Sequence, residues 1–283
     1  MWALTVSGTY IAYLAVTGQS ALQVGRLEAG ELNTIQTGRA IAHGLIWVTL
    51  IIAMRKGPLL LAAPAAAFAI VLVGTGSRGP LAGAALALLV ALLWRAGNAT
   101  AMLKRVALAS AFAVALYVGY ARAPDVARDR LLVVGDSGSN RMRYFEASWE
   151  VIKQNPFGVG WGDWKQAVGI AAPADTFYPH NLILEASSEA GWLAGAALTW
   201  FIIRTLRSAL RNCRGLHGRT ALALCLFSTV SMLVSDDLLG AKVFFASCAI
   251  VLARESWSFN ENAPAATEVR ATNRDAALGV RAR

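Results

Sequence analysis

The sequence predicts an all-α integral membrane protein, a polytopic helix bundle of about eight spans. Of its 283 residues, 56% are hydrophobic and 15% are charged, whereas soluble domains have about 45–50% apolar and about 25% charged residues. The mean hydropathy is +0.49. Apolar stretches recur along the chain at roughly the 20-residue length that crosses a bilayer. Together these observations argue against a soluble domain and against intrinsic disorder.

Eight segments meet the requirement for a span. The first is the weakest because it carries several Thr, Ser and Tyr side chains. It lacks the basic start and the cleavage site of a signal peptide, so we do not interpret it as one. We predict a membrane domain over residues 1–255 and a disordered cytoplasmic tail over 256–283, which shows no apolar periodicity. The approximate spans are 2–18, 37–54, 57–76, 79–95, 106–121, 182–203, 219–235 and 238–254.

The distribution of charge predicts the orientation in the membrane. One set of alternating loops carries 15 Lys and Arg against 4 acidic residues, and the other carries 11 against 13. The positive-inside rule places the first set and both termini in the cytoplasm. The formal net charge of +9 is then mainly a topology signal, and no nucleic-acid partner is needed to explain it. A long segment over about 122–181 is left outside the cell membrane.

This external segment has internal order. Arg141–Gln154 places Met142, Phe145, Trp149 and Ile152 at helical spacing, which predicts an amphipathic helix that an Asn-Pro pair ends. External loops of such length tend to be functional.

A polar group follows immediately before the next span. His180 is the only external histidine, and an imidazole can act as a general base near neutral pH; the alternative is a capping or interfacial histidine. Asn181, Glu185 and Glu189 lie on the first turns of the next helix, where acidic side chains also stabilise the helix dipole. Simple capping of the helix end is the alternative for these three.

External arginines form the second part of the candidate site. Arg78 lies between two otherwise uncharged apolar helices, where it either snorkels to the interface or binds an anion. Arg141 and Arg143 could reach the same anion, or could lie on a solvated helix face. Arg26 and Arg39 are weaker candidates. Because arginine binds phosphate bidentately, and the sequence has no metal-binding motif, we expect arginine to neutralise any phosphate charge, without metal or cofactor.

Three motifs in chain order resemble the O-antigen ligase and polymerase (Wzy_C-type) superfamily, and the resemblance runs from about residue 20 to residue 254. They are Thr75-Gly76-Ser77-Arg78-Gly79, then Arg141 followed by Pro156-Phe157-Gly158-Val159-Gly160-Trp161-Gly162, and then His180-Asn181 with Leu184, Glu189, Gly191 and Gly195.

The resemblance implies a metal-independent glycan transferase with a GT-C-like helix bundle in the bacterial inner membrane and an active site that faces the periplasm. Such enzymes move a saccharide from undecaprenyl diphosphate to a lipid or glycan acceptor. By resemblance, Arg78 and Arg141 hold the diphosphate, and His180 activates or orients the acceptor hydroxyl. Asn181 and Glu189 match motif positions without an assigned role.

The resemblance leaves several alternatives open. Family members usually have more than about eight spans, and the missing ones would precede Met1, so the chain is a fragment, the product of a mis-assigned start, or a short variant. Ligases, O-antigen and exopolysaccharide polymerases, and protein O-glycosylating transferases all belong to the superfamily. Alternatives of another class are a membrane transporter or flippase component, suggested by Arg78, and an inactive truncated family member.

Overall fold

The computed structural model describes residues 22–23, 26–27, 34–54, 61–94, 99–123, 125–132, 136–169, 178–235, 237–238 and 240–261. Over these ranges the regular structure is helical apart from one antiparallel pair of two-residue strands, so the predicted all-α membrane bundle is confirmed as the fold class. In chain order the elements are β1 Leu22–Gln23, β2 Arg26–Leu27, α1 Thr34–Met54, α2 Ala62–Gly74, α3 Arg78–Leu93, α4 Ala99–Arg122, α5 Asp125–Leu132, α6 Asp136–Gln154, α7 Trp164–Val168, α8 Leu182–Ala190, α9 Trp192–Arg211, α10 Gly215–Ser235 and α11 Lys242–Glu261.

Among the described residues, four helices are long and apolar enough to cross a membrane: α1, residues 102–122 of α4, α9 and α10. Helices α2 and α3 are shorter apolar helices. The 13 residues of α2 extend about 20 Å at 1.5 Å per residue, less than the hydrocarbon core of about 30 Å. The first predicted span, 2–18, lies outside the described residues. The count of about eight spans stays a prediction.

The centre of the bundle is the contact between α3 and α10, the most extensive helix pair. Ala84, Ala87 and Ala91 of α3 are fully buried in the same core as Phe227 of α10. Lipid is as apolar as leucine, so helices in a membrane associate through close packing rather than through the hydrophobic effect. Small side chains on α3 permit that close packing.

The predicted span 182–203 is wrong as a single helix. Helix α8 ends at Ala190, Gly191 adopts a φ of 91°, and α9 starts at Trp192. The chain reverses there, and Gly195 of α9 lies directly against α8. A Cβ on Gly195 would lie 1.8 Å from Ser187 Oγ and 3.4 Å from the Ile183 carbonyl oxygen. Helix α9 therefore packs back along α8 and continues to Arg211.

The segment 122–181, which the charge distribution predicts to be external, contains α5, α6 and α7 among its described residues. The predicted helix 141–154 is confirmed: α6 starts earlier, at Asp136, and ends at Gln154 as expected. At the other end of the chain, α11 continues to Glu261, past the predicted start of the tail at 256. The remainder of that tail lies outside the described residues.

The face of α6 that packs against the protein differs from the predicted one. Met142, Phe145 and Trp149 are exposed, whereas Tyr144 and Val151 are buried, as Ile152 also is. A polar contact selects this face: Trp164 of α7 is fully buried and donates through Nε1 to Ser148 Oγ over 2.8 Å. Hydrophobic periodicity could not reveal that a serine lies on the buried side.

Candidate active site

A cleft of about 330 Å³ lies where α6, the start of α8 and the end of α10 meet. It contains three residues from the predicted site: Arg141 of α6, and His180 and Asn181 just before α8. The remaining wall is largely apolar. The lining residues are Arg141, Met142, Phe145, Pro179, His180, Asn181, Leu184, Leu233 and Val234.

His180 is held in an unusual backbone conformation beside two tyrosine rings. Its φ is 57°, and among the described residues it is the one non-glycine residue with a positive φ. Histidine tolerates this left-handed region better than most side chains, at a cost of order 1–3 kcal/mol. The ring centroids of Tyr144 and Tyr178 lie 5.6 Å and 4.5 Å from that of His180. Strain of this kind is concentrated at functional sites.

Asn181 positions the histidine by capping α8. Its Oδ1 accepts from the backbone N–H groups of Ile183 (3.0 Å) and Leu184 (3.1 Å), and its Nδ2 donates to the Leu233 carbonyl oxygen over 3.0 Å. The first two bonds satisfy orphan donors of the helix start. The third joins α8 to the end of α10. The geometry therefore supports the capping interpretation of Asn181 and makes it a positioning residue for its neighbour His180.

The Arg78 and Arg141 guanidinium groups are close enough to interact electrostatically. Desolvation and, second to it, the positive charge of Arg78 lower the pKa of Arg141 from its ordinary value. Arg78 is the first residue of α3 and does not itself line the cleft. In the part of the chain that the structure describes, neither guanidinium makes a hydrogen bond or an ion pair. Two like charges with no acidic partner among these described residues would each be stabilised by an anion.

The turn before Arg78 is rigidly held. The Ser77 N–H donates to Thr75 Oγ1 over 3.2 Å, and Ser77 Oγ donates to the Thr34 carbonyl oxygen over 3.1 Å. Thr75 is fully buried and Ser77 nearly so. These bonds join the turn to the start of α1 and fix the backbone position from which the Arg78 side chain extends.

Both glutamates of α8 are buried. Glu185 accepts through Oε2 from the Leu238 N–H over 3.0 Å, and so holds the connection between α10 and α11. Glu189 is 6% exposed and accepts through its backbone oxygen from Gly160 N–H over 3.0 Å. Neither lines the cleft. Their contacts instead hold α8, the helix that begins at the cleft, in place.

The glycine-rich turn 156–162 closes the end of α8. The Val159 and Gly160 N–H groups donate to the Ser188 and Glu189 carbonyl oxygens, each over 3.0 Å. Those carbonyls are orphan acceptors at a helix end. Gly158 has a φ of 87°, and a Cβ there would lie 2.3 Å from the Glu189 carbonyl oxygen. The sequence analysis identified this turn only as part of a family motif, and its role as a cap of α8 was missed.

We expect Gly158→Ala to destabilise the protein more than Gly162→Ala. Both glycines have positive φ, but nothing lies within 4 Å of a Cβ on Gly162. Both variants carry the backbone penalty of about 1 kcal/mol, and only Gly158→Ala adds a steric clash with backbone atoms. Thermal unfolding in detergent measures the difference. Equal stability of the two variants would show that the turn does not pack against α8.

Of the other predicted arginines, Arg39 and Arg143 lie outside the cleft. Arg39 is on α1, and its Nη2 donates to the carbonyl oxygens of Ser231 (3.3 Å) and Ser235 (3.0 Å), which ties α1 to the end of α10. Arg143 is exposed on α6. Arg26 belongs to the strand β2 and pairs with Gln23. The geometry favours a structural role for Arg39, and the candidate roles of Arg26 and Arg143 stay predictions.

Sequence reasoning missed several residues of the site. Tyr144 and Tyr178 contact His180, and Leu233 and Val234 bring the end of α10 into the cleft wall. The only available signal for Tyr178 was its position two residues before the histidine. Tyr144 lies one helical turn from Arg141, so the helical period alone placed it near that side chain.

The structure is that of a polytopic membrane helix bundle, with a cleft that combines arginine, histidine and an apolar wall. Residues 63–199 match the family model for O-antigen ligase. This match supports assignment of that region to the O-antigen ligase/polymerase superfamily of membrane glycosyltransferases. The match includes Arg78, Arg141 and His180. Neither a curated protein nor a solved structure matches the chain.

Proposed function

We propose that this protein transfers a saccharide or glycan from undecaprenyl diphosphate to a lipid or glycan acceptor at the periplasmic face of the bacterial inner membrane. One observation carries the proposal: the cleft brings Arg141 and His180 together, and Arg78 lies near enough to repel the Arg141 charge. A glycosyl diphosphate needs a cation for its leaving group and a base for the attacking hydroxyl. The cleft offers both.

The arginines would act on the leaving group. When the glycosidic bond to phosphate breaks, negative charge develops on the lipid diphosphate. Guanidinium groups placed where that charge develops lower the barrier, since they are oriented before reaction. Arg78 and Arg141 have no acidic partner among the described residues, so binding the diphosphate would replace mutual repulsion with two attractive contacts.

His180 would act on the acceptor. The acceptor oxygen attacks the anomeric carbon, its proton passes to an imidazole nitrogen of His180, and the bonding pair of the broken C–O bond leaves with the diphosphate. The proton and the charge balance, and no metal or cofactor enters the step. The neighbouring rings of Tyr144 and Tyr178 restrict the imidazole orientation.

The apolar wall of the cleft supports a lipid-linked donor. Met142 and Phe145 are exposed on α6 and line the cleft opposite Leu184, Leu233 and Val234. A soluble sugar nucleotide would gain nothing from these side chains, whereas a polyprenyl chain gains van der Waals contact and leaves water.

Complementation tests this proposal. A strain that lacks its own surface-glycan transferase should regain acceptor-linked glycan when it expresses the wild-type chain. Long polymer that stays attached to the carrier lipid would instead identify an O-antigen or exopolysaccharide polymerase of the same superfamily. Strains with different acceptors serve as hosts, so that a mismatch of acceptor is separated from inactivity. Absence of product in every host, at normal protein level, would contradict the proposal.

The orientation of the site gives a second prediction. We expect Phe157→Cys to react with a membrane-impermeant maleimide in intact spheroplasts, and Arg214→Cys to react only after permeabilisation, because the positive-inside rule places these positions on opposite faces. Phe157 is 85% exposed, and the three native cysteines are buried. The reverse pattern would contradict the orientation. Labelling of Arg141→Cys from both sides would indicate alternating access and therefore transport.

A further inference from the structure

A second cleft, of about 260 Å³, lies at the end of α9 that is far from Gly191. It forms between α9 and α11, and no part of the proposed transfer reaction uses it. Its lining residues are Trp200, Ile203, Arg204, Arg207, Ser208, Arg211 and Glu255.

The residues of this cleft change from apolar to basic along one helix face. Trp200, Arg204, Arg207 and Arg211 follow one another at intervals of four, three and four residues, which places them in a stripe on α9. Trp200 is 67% exposed, and Ile203 beside it is 43% exposed. Tryptophan next to basic residues on a membrane helix is typical of the headgroup region.

The cleft carries an excess of positive charge. It holds three arginines against one glutamate. Arg204 Nη1 donates to Glu255 Oε2 over 2.8 Å, and this pair joins α9 to α11. Arg207 is exposed and makes no hydrogen bond or ion pair with any residue that the structure describes. The positive-inside rule explains why arginines lie on this face of the membrane, but not why they share one cleft with exposed apolar side chains.

We propose that this cleft binds the headgroup of an anionic phospholipid of the cytoplasmic leaflet. Arg207 and Arg211 contact the phosphodiester, and an acyl chain lies along Trp200 and Ile203. A lipid fits better than a soluble anion because the apolar and basic parts of the cleft are contiguous, in the order in which acyl chain and headgroup follow each other. Basic pockets between membrane helices on this side typically bind such lipids.

Lipid binding by the purified full-length protein tests the site. Native mass spectrometry measures how much phosphatidylglycerol or phosphatidylcholine stays bound as each is titrated. We expect the wild type to prefer phosphatidylglycerol and Arg207→Gln to bind it about fivefold more weakly, the effect of one basic residue near a membrane surface. Arg214→Gln is the matched control, because Arg214 is exposed just after α9 and does not line the cleft.

Trp200→Ala provides an independent measurement at a position without charge. We expect it to weaken retention of phosphatidylglycerol. If Arg207→Gln lowers the amount of folded protein, the result for Trp200→Ala decides whether the cleft binds lipid. An equal loss in Arg214→Gln would overturn the proposal, since it would show only a general effect of surface charge. Retention of inorganic phosphate equal to that of phosphatidylglycerol in the same titration would overturn it too, in favour of a soluble anion.

Discussion

Replacement of His180 by alanine is expected to abolish glycan transfer in cells while the amount of membrane protein stays unchanged. Removal of a positioned general base typically costs about 10²–10⁴-fold in rate. The side chain is half-buried beside Tyr144 and Tyr178, so its loss leaves space without exposing a large apolar core. The readouts are acceptor-linked glycan on gels and protein level by immunoblot.

The backbone of His180 requires a second pair of variants. With a φ of 57°, the position strains alanine, which could lower activity through structure alone. Asparagine and glycine tolerate this conformation and lack a general base. We therefore expect His180→Asn and His180→Gly to be as inactive as His180→Ala. Activity in either variant would show that only the backbone conformation at position 180 matters, and would contradict the role of His180 as base. His217→Ala, at an exposed position outside the cleft, is the control.

Hydropathy predicted the membrane bundle and the helix α6, because apolar content and periodicity are local properties of the chain. The break at Gly191 is not local. The apolar run continues through it, and the reversal depends on distant backbone atoms, such as the Pro156 carbonyl oxygen that accepts from Trp192 N–H over 3.1 Å. A glycine within an apolar run is compatible with either a continuous helix or a break.

The sequence offered the members of the candidate site but could not show which of them share the cleft. The types and order of Arg78, Arg141 and His180 carried the chemistry, since arginine binds phosphate and histidine accepts protons near neutral pH. The sequence made Arg39 a weaker candidate but could not reveal its structural contact. Its guanidinium contacts carbonyl oxygens at the end of α10, and such a contact depends on how α1 packs against α10, which no single segment encodes.

Replacement of Arg141 by alanine is expected to weaken donor binding without unfolding the protein. A hydrogen bond to a charged group contributes about 1.5–3 kcal/mol, which corresponds to about 10–150-fold in affinity. Arg141 makes no hydrogen bond or ion pair inside the described part of the chain, so its loss leaves no acidic group buried and unpaired. Transfer by membranes at varied concentrations of lipid-linked donor measures the effect. Arg143→Ala, on the same exposed helix but outside the cleft, is the matched control.

The pairing of Arg78 with Arg141 makes this prediction more specific. Burial and, second to it, the Arg78 charge lower the pKa of Arg141, but a guanidinium stays protonated with or without Arg78. The expected loss in Arg78→Ala is therefore a loss of anion binding and not a change of protonation. If both side chains bind one diphosphate, the double variant should lose less than the sum of the single losses in free energy. Full additivity would contradict a shared ligand. An equal loss in Arg143→Ala would show only a general effect of positive charge.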